Sequence, residues 1–75
     1  LIGLSMIKFM LILKICSAMD GTCLPEQPVG VYDSWFKCAQ HGTMNTMTTL
    51  DLIGKELIND NRLYVVFTCK QLNET

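Results

Sequence analysis

The sequence predicts a small two-layer α/β domain, with α+β also allowed, in which one helix packs on a two- or three-stranded sheet stapled by disulfides. Three observations predict it. They are an alternating apolar run near the N-terminus, a helical stripe in the middle, and a β-branched, aromatic run near the C-terminus. The staple comes from four cysteines in 75 residues. A chain this short forms one domain over 1–75. Its core alone leaves a thin stability margin, so disulfides, a metal or a partner subunit commonly supplement it.

The first element is a strand over about 6–16. Ile7, Phe9, Leu11, Leu13 and Ile15 share one parity, while Lys8, Met10, Ile12, Lys14 and Cys16 share the other. Alternation puts five apolar side chains on one face and both lysines opposite. Two other readings compete for residues 6–18. A transmembrane span needs about 20 mostly apolar residues, and a mid-membrane lysine costs about 2.5–3.5 kcal/mol. A signal peptide starting at Met6 would use Lys8 as its positive region and Ser17-Ala18 as its cleavage site. Cleavage there would discard Cys16 and leave an odd number of cysteines, and Lys14 interrupts the apolar region. The strand accommodates Lys14 best. Leu1 is an unusual first residue, which points to a fragment or a processed end, with Met6 as an alternative start.

Residues 17–32 read as a loop. Asp20-Gly21 marks a turn, Pro25 and Pro28 break regular structure, and a short edge strand fits near Val29 to Tyr32. The helix is expected over about 34–59, with Asp33 or Ser34 as its N-cap. Trp35, Ala39, Gly42, Thr46, Leu50, Ile53 and Leu57 recur at steps of three and four. The Thr-, Met- and Asn-rich middle suggests a break near 42–49, and Asn59-Asp60-Asn61 a stop. A final strand over about 62–70 places Leu63, Val65, Phe67 and Cys69 on one face, with Tyr64, Val66 and Thr68 on the other. The tail, Gln71 to Thr75, reads as frayed.

If the two long strands are parallel neighbours, the helix start and all four thiols meet at one end of the domain. Parity pairs Cys38 with Cys69, which shares the inward face, and leaves Cys16 with Cys23. The alternative, Cys16–Cys69 with Cys23–Cys38, is nearly as good, because four cysteines allow three pairings. A rival reading makes Cys16, Cys23, Cys38, His41 and Cys69 a zinc ligand set, since Cys38 and His41 lie three apart on a helix. The signal is weak without a Cys-x-x-Cys pair, and His41 reads more simply as a solvated or capping side chain. No cofactor is expected.

Six basic and seven acidic side chains give a formal charge of −1, and the lysines are scattered. Without a basic stripe, nucleic-acid binding is not expected. The sequence has no phosphate loop, nucleophile elbow or helical zinc-protease motif. The carboxylate pairs Asp20 with Glu26 and Asp33 with Asp51 are better explained by turns and caps, so no enzyme activity is expected. A domain this small rarely encloses a ligand cleft of about 300 Å³ or more. Asn73-Glu74-Thr75 matches a glycosylation sequon by chance, and most of Met6, Met10, Met19, Met44 and Met47 read as fillers.

One feature points outward. A helix covers only one sheet face, so the other would show Met10, Ile12, Tyr64 and Val66 between Lys8, Lys14 and Arg62. An apolar patch rimmed by charge signals a protein partner or self-association, and exposed strand edges add sheet extension.

The series Ile15-Cys16-Ser17, Cys23-x-Pro25, Tyr32-x-Ser34-x-x-x-Cys38, Gly42, Glu56-x-x-Asn59 and Phe67-x-Cys69 resembles small uncharacterised cysteine-containing proteins of marine bacteriophages and viral metagenomes. The resemblance implies a viral origin and no mechanism. It suits a virion component or a binder of a host target, located in a virion, a secreted form or another oxidising compartment if disulfides form. Free thiols would instead point to the host cytoplasm.

Overall fold

The computed structural model describes residues 6–74, with side chains from Ile7 to Leu72. The elements run β1 (Met6–Ser17), β2 (Gln27–Tyr32), α1 (Trp35–Ile53), α2 (Lys55–Asn61) and β3 (Leu63–Glu74). The sheet order is β2-β1-β3, and both pairings are antiparallel. Residues 6–17, which the span and signal readings claimed, therefore form the central strand. Among the described residues, no helix is long and apolar enough to cross a membrane.

The antiparallel pairing of β1 with β3 corrects the parallel arrangement expected from the sequence. The cause is β2. By running back along β1 until Tyr32 lies opposite Phe9, it reverses the chain once more. Helix α1 then returns the chain toward the end of β1, and β3 starts there, with Leu63 opposite Ser17. Two hydrogen bonds clamp this corner: the Ser17 hydroxyl donates to the Asn61 carbonyl at 2.9 Å, and the Ala18 N–H donates to the Arg62 carbonyl at 2.9 Å.

Ser34 caps α1 by accepting a hydrogen bond from the Lys37 N–H. The expected break at 42–49 is absent. Thr43, Asn45 and Thr46 turn their polar side chains back onto the carbonyls of Ala39, His41 and Gly42, so the polar stretch is satisfied within the helix. The break falls at Gly54, whose φ of 96° only glycine adopts without strain. The left-handed residue that ends α2 is Arg62, just beyond the expected Asn-Asp-Asn stop. The turn at Asp20-Gly21 forms as expected, closed by the Gly21 N–H donating to the Ser17 carbonyl.

The supposed tail is strand as far as Glu74, because the first half of β1 offers it partners: Ile7 faces Asn73 and Lys8 faces Leu72. Thr75 lies outside the described residues, and with it the sequon. The core is thin. Among the described residues, Leu11, Leu13, Cys16 and Cys38 are the buried apolar side chains. Gly42 lets α1 approach β3 closely, since a Cβ there would overlap the Phe67 ring.

Candidate interaction face

The four cysteines form two disulfides, Cys16–Cys23 and Cys38–Cys69. They do not meet at one end. Antiparallel pairing sets Cys69 opposite Leu11, mid-strand, while Cys16 lies near the far end of β1. Cys38–Cys69 bolts α1 to β3, and Cys16–Cys23 closes the loop after β1, where the two residues form an isolated antiparallel bridge. The chain-entropy model assigns about 4 kcal/mol to the longer loop and about 2 kcal/mol to the shorter.

These bonds remove the thiolates that the zinc reading needs, since a disulfide sulfur does not act as a thiolate ligand. Among the described residues, no three His, Cys, Asp or Glu side chains group as metal ligands. His41 stacks on Tyr32 instead, with ring centroids 4.5 Å apart and planes at 17°. The carboxylates are locally engaged. Asp20 accepts from the Thr22 hydroxyl and N–H, which holds its carboxyl below the usual range. Asp33 lies 3.5 Å from Lys37.

Helix α1 packs on the odd-numbered face of β1 and β3, where Gly42 meets the Phe67 ring and Cys38 is bonded to Cys69, and α2 lies against β3. The even-numbered face is left without a helix. Its central row is Lys8, Met10, Ile12 and Lys14, half-buried between the flanking strands. Tyr64 and Val66 stand beside this row, opposite Cys16 and Lys14, and expose 46% and 37% of their surface. The four apolar residues expected on this face are therefore brought together on it.

Three details differ from expectation. Arg62 sits in the turn before β3, so Lys70, opposite Met10, supplies the third charge. Val31, paired with Met10, and Pro28, paired with Ile12, widen the face on the β2 side. Leu72, opposite Lys8, extends it at the other end. Sequence reasoning missed Pro28, Val31 and Leu72 because it had β2 as a short fragment and β3 as ending at 70. Lys8, Lys14 and Lys70, distant in sequence, are thereby gathered on one face, while the helices carry charges of both signs.

The surface also carries an open groove, and the expectation for the methionines is corrected. A groove of about 320 Å³ opens between the β1–β2 hairpin and α1, lined by Leu13, Ile15, Leu24, Val29 and Thr49 among others, because the helix does not cover the β2 side fully. Met19, Met44 and Met47 are exposed rather than fillers, since the loop and the outer side of α1 turn them to solvent. No family model, curated protein or solved structure matches the chain.

Proposed function

We propose that the protein is a non-enzymatic interaction protein that binds a protein partner through the uncovered face of its sheet. The observation that carries this reading is the set of apolar residues Met10, Ile12, Tyr64 and Val66 on the sheet face away from the helices, interleaved with Lys8, Lys14 and Lys70. Apolar groups interspersed with charge are a common make-up of a contact surface, the apolar groups supplying affinity and the charges orientation. The lysines on this face favour an acidic partner. The resemblance to small phage proteins suggests a virion or host-target setting, and the disulfides favour an oxidising compartment.

Ile12→Lys tests the reading. Ile12 lies at the centre of the face, opposite Thr68, and its side chain is not under the helices. The variant is expected to fold with both disulfides and a melting temperature close to wild type, and to lose partner binding. Full activity in a folded Ile12→Lys variant would refute the reading.

A further inference from the structure

We infer that β3 is a self-pairing edge: two copies join antiparallel along it, across a two-fold axis near Phe67, to make one six-stranded sheet. The inference is argued from the backbone of the β3 edge and not from the contact-face reading, although Tyr64, Val66 and Lys70 of that face lie along the seam.

The two edges of the sheet are built differently. β2 is six residues long, contains Pro28, and shifts register against β1 between Leu11 and Ile12. A short strand, a proline and an irregular register are the devices that stop an edge from recruiting another strand. β3 has none of them. It is twelve residues long, contains neither proline nor glycine, and pairs with β1 in unbroken register from Leu63 to Glu74. From Leu63 to Leu72 its sole charged residue is Lys70.

The backbone of β3 is also phased for pairing. The Leu24 N–H donates to the Ile15 carbonyl, and the Ser17 N–H donates to the Thr22 carbonyl, both at 2.8 Å. Odd residues of β1 therefore direct their backbone groups toward the hairpin, and even residues direct theirs toward β3. In an antiparallel ladder bonded and non-bonded pairs alternate. Tyr64, Val66 and Thr68 thus bond β1, while the N–H and C=O groups of Val65, Phe67 and Cys69 point away from the sheet.

A second copy is the occupant that this row fits by symmetry, because a strand paired antiparallel with itself makes an isologous contact. Centring on Phe67 pairs Val65 of each copy with Cys69 of the other and forms about six backbone hydrogen bonds. On the open face the same register sets Lys70 of one copy opposite Tyr64 of the other, a cation–π pairing, and Val66 opposite Thr68. No like charges meet between Leu63 and Leu72. Moving the axis to Val66 would set Lys70 against Arg62.

Sedimentation equilibrium of the oxidised protein, combined with residue-resolved amide exchange, tests this. The expected result is a concentration-dependent dimer in which the Val65, Phe67 and Cys69 amides exchange at least roughly tenfold more slowly than in dilute monomer. The Tyr64, Val66 and Thr68 amides should stay protected in both states. Val65→Pro removes an outward N–H that β1 does not use, and should weaken dimerisation at least tenfold. A monomer at the highest soluble concentration would overturn the inference, as would a dimer whose outward amides exchange freely. So would a folded Val65→Pro variant with unchanged dimerisation. If Val65→Pro fails to fold, the wild-type exchange pattern decides.

Discussion

Gly42 lies where α1 passes over the Phe67 ring, and a Cβ there would overlap that ring. Helix propensity alone favours alanine by about 1 kcal/mol. Overpacking a seam between helix and sheet costs about 1–3 kcal/mol, so Gly42→Ala should be destabilising on balance, read as a lower denaturant midpoint. The sequence showed Gly42 on the inward stripe, but nothing in it named the ring that Gly42 meets. Asp20 offers a second residue-scale prediction. Hydrogen bonds from the Thr22 side chain and backbone favour its charged form, so its folded pKa lies below the ordinary carboxylate value. The sign follows: its contribution is present above the unfolded pKa and is lost as pH falls through the folded one. In Thr22→Val, the Asp20 carboxyl titration followed by NMR should move up toward the ordinary value. An unmoved midpoint would contradict the assignment.

Among the elements, the break between α1 and α2 rests on Gly54. At a φ of 96° any side chain is strained, so Gly54→Ala should destabilise by about 1–2 kcal/mol in equilibrium unfolding. The disulfides differ in what they hold. Replacing both Cys38 and Cys69 should lower stability by about 4 kcal/mol, against about 2 kcal/mol for Cys16 and Cys23, because the first link closes the longer loop. Period-2 alternation made β1 legible, including its two faces, and inward parity singled out Cys69 as a partner for α1. β2 was obscured because Pro28 and Gly30 make its composition loop-like, although β1 gives it a ladder to join. The end of β3 was obscured for a related reason: Gln71 to Glu74 look polar and frayed, and only the first half of β1 draws them into a strand. Strand direction depends on the number of chain reversals, so missing β2 as a full strand also turned β3 the wrong way.

For the whole molecule, the helical layer and the sheet present different surfaces. The helices carry charges of both signs, Lys37, Asp51, Lys55, Glu56 and Asp60, whereas the charged side chains described on the open sheet face are Lys8, Lys14 and Lys70. This grouping of three lysines was hidden in a scattered sequence with a net charge of −1. Both disulfides should be present in protein purified under oxidising conditions. Its intact mass should be four hydrogens below the reduced value and unchanged by alkylation without reductant; uptake of four alkyl groups would contradict this. The central claim is that the open face makes the contacts, and it is tested most directly by site-specific photo-crosslinking in the cells the protein comes from. A photoreactive residue at Ile12, on the central strand away from the β3 edge, should give one discrete product heavier than the chain and different from its dimer, suppressed by a lysine at neighbouring Met10, while probes at Phe36 and Leu52 on α1 should not. Products from Phe36 and Leu52 alone would place the contact on the helical layer and contradict the account.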